Sequence, residues 1–175
     1  VLVGKKIYLR PLERQDLDTL AKWRNIPSIR SCFFSPHLIV LSCQDEWYDK
    51  YTNRGDTSIF VICQRDTNQE IGVVGIDNID HRNQSAEYGR MLIAESQYRG
   101  QGLADDATNA LLKYAFEDLN LNRIYLRVYT DNDKAIALYE RCKFIREGIE
   151  REAIYMGGRR RDLLLMSILR SEFKA

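Results

Sequence analysis

The spacing of hydrophobic positions changes several times along the chain, and each change predicts an element. Ile7 and Leu9 alternate with Tyr8 and Arg10, a short strand ended by Pro11. Leu17, Leu20, Ala21 and Arg24 then recur at helical spacing, and Gln44 to Tyr51 reads as a second helix. Pro27 and Pro36 bracket an irregular segment between them. Ser58 to Cys63 is a β-rich apolar run, expected as a buried strand, and Asp66-Thr-Asn-Gln69 as a turn. Ile71 to Ile79 and Ser85 to Ile93 add two strands joined through His81-Arg-Asn83, so the first half predicts an antiparallel run.

The second half alternates helix and strand. Leu103, Ala107, Leu111, Tyr114 and Ala115 share one helical face, and Ile124, Leu126 and Val128 alternate with Tyr125, Arg127 and Tyr129. Ala135, Leu138, Tyr139 and Cys142 form another helical stripe, with Asn132 at the capping position. Phe144 to Tyr155 and Arg160 to Leu169 read as two strands turning at Gly157-Gly158. The expectation is one α/β domain over residues 1–175, with a mixed, mostly antiparallel sheet and helices on its faces.

Composition narrows the function classes. A chain of 175 residues, 45% hydrophobic, buries a sizeable core. Its 26 basic and 25 acidic residues leave a formal charge of +1, so bulk charge does not point to nucleic acid. No apolar run approaches the roughly 20 residues of a membrane-spanning helix, and no stretch resembles a signal peptide. Cys32, Cys43, Cys63 and Cys142 form no C-x-x-C pair and read as reduced thiols of a cytoplasmic protein, with no metal expected.

The segment Gln97-Tyr-Arg-Gly-Gln-Gly-Leu-Ala104 carries the first chemistry. It joins a predicted strand to a helix starting near Gly102, and its glycines permit a tight turn with exposed N–H groups. Those groups lie at the positive end of a helix dipole, a place for an anion, with the charge of Arg99 beside it. No Gly-Lys-Ser/Thr follows, so this is no P-loop, and Asp105 stands where a dinucleotide fingerprint needs its third glycine. Taken alone, an ordinary strand–helix loop using glycine for its geometry is the better explanation.

A second segment, Asn132-Asp-Lys-Ala-Ile-Ala-Leu-Tyr-Glu-Arg-Cys-Lys-Phe144, follows downstream. Together, Gln97, Gly100 and Gly102 with Asn132, Ala135, Tyr139 and Phe144 resemble the GCN5-related N-acetyltransferase (GNAT) superfamily. Lys143 replaces the usual glycine before the phenylalanine. The resemblance implies six or seven strands, with helices on both faces of the sheet and a splay between the fourth and fifth strands. It also implies acetyl-CoA as cofactor. The backbone amides of Arg99, Gly100, Gln101, Gly102, Leu103 and Ala104 would hold the pyrophosphate. Met91, Leu92 and Ile93 would pair with the pantetheine arm, and Asn132 would bond it. Gln97, of the same turn motif, would also serve the cofactor, and Arg99, Gln101 and Lys134 are candidate phosphate contacts, each equally readable as a solvated surface residue.

Acetyl transfer from a thioester to an amine passes through a tetrahedral intermediate and needs the leaving thiolate protonated or hydrogen-bonded. The resemblance gives that role to Tyr139, which spacing alone would make a core aromatic. An alkylamine with a pKa of about 10.4 is mostly protonated at pH 7, so a base is needed, and Glu87 is the candidate. Its segment resembles bacterial spermidine acetyltransferases, although a strand-edge carboxylate paired with Arg90 or another basic neighbour fits as well. Arg10-Pro-Leu-Glu-Arg14 and Trp23-Arg-Asn25 resemble the branch containing spermidine, ribosomal-protein N-terminal and nucleotide-amino-sugar acetyltransferases. Spermidine enzymes carry an acidic pair where this chain has Phe34-Ser35. Phe33, Phe34 and Trp47 are candidates for the substrate cleft or for the core.

The expected function is transfer of acetyl to a primary amine (polyamine, amino sugar or peptide N-terminus) without a covalent enzyme intermediate, since no cysteine stands in a nucleophile setting. A non-catalytic acyl-CoA sensor is the alternative, and a homodimer is implied only by the resemblance. Arg159-Arg-Arg161, after the glycine pair, would suit a nucleic-acid contact or simply a solvated turn, and no nucleic-acid or membrane partner is expected.

Overall fold

In a computed structural model that describes residues 1–35 and 37–174, a single sheet runs through the chain. The elements are β1 (Leu2–Val3), β2 (Ile7–Pro11), α1 (Leu17–Asn25), α2 (Pro27–Arg30), α3 (Gln44–Thr52), β3 (Ser58–Gln64), β4 (Glu70–Asp80) and β5 (Ser85–Ile93). After them come α4 (Leu103–Lys113), β6 (Arg123–Tyr129), α5 (Asp133–Arg141), β7 (Ile145–Met156) and β8 (Arg159–Leu169). The strand order is β1-β2-β3-β4-β5-β6-β8-β7, antiparallel except where β5 meets β6. Eight strands replace the expected six or seven, because Leu2–Val3 adds an edge strand on β2 that is too short to show a period. Pro27 starts a one-turn helix, its missing N–H harmless at that position, where an irregular segment was expected. Pro36 lies outside the described residues.

Alternation in β3 explains the two layers. Phe60 and Ile62 face a core built with Leu103, Ala107 and Leu111 of α4 and Ile136 and Leu138 of α5. Ile59, Val61 and Cys63 face a second core with Leu17 and Leu20 of α1 and Ile29 of α2. A strand covered on both faces reads as a continuous apolar run, as Ser58 to Cys63 does. Among the described residues, no helix is long and apolar enough to cross a membrane.

The splay is the feature that makes a site. β5 and β6 pair in parallel only through Ser85–Arg123, Ala86–Ile124 and Glu87–Tyr125. Beyond Glu87, β5 continues to Ile93 beside β4 alone. Its register on β4 slips between the pairs Gly75–Gly89 and Val73–Leu92, three residues of β5 against two of β4. Arg90, inside that slip, has φ +59°. This is a β-bulge, which bends its strand and steers β5 away from β6. A bidentate ion pair between Arg90 and Asp77 of β4, at 2.9 Å, fastens the bulge.

Two of the three arginines at the β7–β8 turn are absorbed locally, and Arg160 is exposed. Arg159 and Arg161 both pair with Asp131, and Arg161 lies 3.5 Å from the centroid of the Tyr129 ring. Lys143 adopts φ +71°, the left-handed conformation that its glycine-like position demands.

Candidate active site

The turn between β5 and α4 has the geometry of an anion site. Gly100 and Gly102 both have φ +75°, and Gly102 occupies the N-cap of α4 without any side-chain cap. The first intrahelical bond is Asp106 N–H to the Gly102 carbonyl, so the amides of Leu103, Ala104 and Asp105 point out of the helix end. Two acidic residues in the first turn would oppose an anion there, but both are turned aside. Asp105 pairs with Arg141 at 2.7 Å. Asp106 accepts the backbone N–H groups of Lys5, Lys6 and Ile7, tying the entry to β2 to this helix. Lys6 Nζ donates to the Gln101 carbonyl at 2.9 Å, and Gln101 Nε2 donates to the Gln97 carbonyl at 2.7 Å. Arg99 curls back toward the carbonyls of Ile93 and Ala94. The side chains of Gln101 and Arg99 therefore shape the turn. The Arg99 amide, expected at the pyrophosphate, is spent on the Ser96 carbonyl at 3.1 Å, and among the described residues the amides of Leu103 to Asp105 have no backbone acceptor. Leu103 buries its side chain in the core, so only its amide can serve.

The wedge between β5 and β6 holds a cavity of about 500 Å³. Tyr139 of α5, Glu87 and Met91 of β5, Asn132, Phe33 and Phe34 all line it. Leu92 and Ile93, by contrast, turn their side chains into the two cores, leaving their backbone on the open strand edge. Asn132 Oδ1 caps α5 through the Ala135 N–H at 3.3 Å, which leaves its amide nitrogen available. Lys134 is exposed in the first turn of α5. Of the two expectations for Trp47, the core is met and the cleft is not: it stacks on Tyr51 at 5.6 Å in the second core and is not among the cavity-lining residues. Helix α3 packs with α1, which holds Trp47 against that layer.

Tyr139 is 9% exposed, its ring packed edge-on to Tyr88 at 5.7 Å and to Phe144 at 5.8 Å. Among the described residues its hydroxyl has no hydrogen-bond partner in the protein. Burial, with Cys142 and Cys32 nearby, raises the phenol well above the ordinary tyrosine range, so it keeps its proton at any physiological pH. Tyr88, its neighbour, instead spends its hydroxyl on Thr108 at 2.8 Å. Glu87 is paired as a strand carboxylate, but with Arg127 rather than Arg90. Its Oε1 accepts from Arg127 at 3.0 and 3.1 Å, and Oε2 accepts from Asn78 at 2.9 Å. Arg24, Arg54, Asp77, Arg90 and Arg127 also line the cavity and were missed in the sequence. Arg127 carried one usable signal, a charge in the middle of a strand whose only other charge, Arg123, stands at its first position.

An acetyltransferase (GNAT) domain model matches residues 6–145. The chain belongs to the GNAT acetyltransferase family. It is 33% identical over 171 residues to the spermidine N(1)-acetyltransferase of Vibrio cholerae, covering 98% of this chain and 97% of that one. A crystal structure of spermidine N-acetyltransferase from Vibrio cholerae with CoA and spermine superposes with a TM-score of 0.89 at 33% identity, covering 97% and 98% of the two chains. A dodecameric structure of the enzyme from the same organism superposes with a TM-score of 0.82 at 32% identity, covering 96% of each. As a GNAT member the chain is an acetyl-CoA-dependent N-acetyltransferase, and its uncapped α4 and unpaired β5 edge suit a diphosphate and an amide-bearing arm.

Proposed function

We propose that this GNAT enzyme acetylates a primary amine by direct attack inside the wedge cavity. The observation that carries the reading is one shared cavity onto which a protonated, unpartnered phenol, a fixed carboxylate and a free strand edge all open. Bound acetyl-CoA supplies the acetyl group as a thioester. The amides of Leu103 to Asp105 hold the diphosphate, and the backbone of Met91 to Ile93 with the Asn132 amide orients the arm. The Tyr139 hydroxyl holds a proton ready for a basic atom developing beside it. Glu87, kept in one orientation by Arg127 and Asn78, retains lone pairs to take a proton from the amine, directly or through one water. The polyamine activity of the Vibrio cholerae relative supports an amine acceptor of some kind. A homodimer is supported by the free outer edge of β7, where Ile145, Ile149 and Tyr155 are exposed.

The test follows thiol release from acetyl-CoA across a panel of amines, with mass detection of the acetylated product. We expect amine-stimulated release, and a fall of roughly 10²-fold or more in turnover for Glu87→Gln. Tight coenzyme A binding with no release across the panel would replace the enzyme by a sensor. Sedimentation showing a monomer at micromolar concentration would remove the dimer.

A further inference from the structure

The cavity walls carry four arginines and two carboxylates, and their pairing is unequal. Asp77 is taken by Arg90 in a bidentate bond, and Glu87 by Arg127. Arg54 forks onto Asp56, at 2.9 and 3.0 Å. Arg24 alone of the four has no carboxylate and no hydrogen-bond acceptor among the described residues, and its Nε is fully buried. It lies 3.6 Å from the centroid of the Phe33 ring, which supports the guanidinium plane but satisfies none of its N–H groups. A buried donor on a full charge is costly to leave unpaired, so its persistence at a cavity wall signals a ligand acceptor. Burial and the nearby Arg90 pull Arg24 down to about 10, which still leaves it charged at neutral pH.

We propose that Arg24 is a specificity determinant that seats an anionic group, carboxylate or phosphate, carried by the amine substrate. This deepens the N-acetyltransferase reading and rests on it. A polycation finds the opposite of what it needs here. Both carboxylates of the cavity are already held by arginines, and Phe34 and Ser35 bring no further acid to the wall beside Arg24. An amine bearing an anion offers each of its two charges a partner of opposite sign on the lining of one cavity. Its amine faces Glu87 and its anion faces Arg24, whose planar fork suits either oxyanion bidentately.

Matched pairs separate the two sources of the anion. Glucosamine against glucosamine 6-phosphate isolates the phosphate, and putrescine against ornithine isolates the carboxylate, with spermidine as the polycation. Acetylation and calorimetric binding to the coenzyme A-saturated protein are measured for each. We expect the anionic member of at least one pair to exceed its partner by about tenfold or more in kcat/KM and in affinity. Arg24→Gln brings that ratio close to one, and Arg24→Lys keeps part of it. Preference in binding without turnover keeps the anion seat and rejects the acetyl-transfer reading for these amines. Turnover with no anionic preference, with spermidine as the best acceptor, or with a preference that survives Arg24→Gln overturns the proposal while leaving acetyl transfer intact.

Discussion

Replacing Tyr139 by phenylalanine removes one oxygen from a ring whose packing against Tyr88 and Phe144 is otherwise untouched. Because that oxygen bonds no described protein group, its loss should change stability by less than about 0.5 kcal/mol. If it is the proton donor, turnover should fall roughly 10²- to 10⁴-fold, about 3–5 kcal/mol in the barrier, with coenzyme A affinity nearly unchanged. Tyr88→Phe is the matched control. Thr108 already donates to the Ala104 carbonyl at 2.7 Å, so Tyr88 must be the donor in their 2.8 Å bond. Losing it should cost about 1 kcal/mol, or roughly 2–4 °C in Tm for a chain of this size, with little effect on turnover. Thermal unfolding and thiol-release kinetics on both variants give a crossed pattern. Turnover of Tyr139→Phe within threefold of the parent, or a Tm loss matching that of Tyr88→Phe, refutes the assignment.

Two further outcomes concern stability. Lys143→Gly should raise stability by about 0.5–1 kcal/mol in urea unfolding, since a side chain at φ +71° is strained where glycine is not; a loss instead would mean the lysine makes an unseen contact. Glu147 on β7 joins β6 and β8 by accepting from Arg123 at 2.6 and 2.7 Å and from Ser167 at 2.6 Å. These partners hold its carboxyl down at about 2. A depressed carboxyl stabilises the fold above its ordinary value of 4.5 and loses that contribution as pH falls toward 2. With a third of the side chain in solvent, the screened contribution is about 1 kcal/mol. Glu147→Gln should flatten the stability–pH curve in that window, and an unchanged slope would assign it to other carboxylates.

Much of this architecture was legible because its causes are local. Alternation placed β2 and β6, a β-rich apolar run placed β3, helical spacing placed α1, α4 and α5, and Gly100 and Gly102 marked the turn. The bulge at Arg90 was not legible, because a bulge is a relation between two strands and appears only once β5 is registered on β4. For the same reason the Glu87–Arg127 pair, which joins two strands 40 residues apart, left no mark on the pattern. Arg24 was the missed clue. It shares a helical face with Leu17, Leu20 and Ala21, and a charge on an inward stripe is there either for a partner or for a ligand. Trp47 was ambiguous because an aromatic suits a core and a cleft equally, and only the docking of α3 decides between them.

The two aspartates that open α4 have a consequence reaching beyond the ligand's own contacts. Read as bare charges, they would rate this corner hostile to a diphosphate, yet Arg141 and three main-chain amides silence them. Arg141 lies on a different helix and faces solvent, so its tether to Asp105 is a remote control over the electric field at the helix mouth. Cutting it would release a negative charge at the mouth of α4, where the proposed diphosphate seat lies, and leave the backbone amides there unchanged.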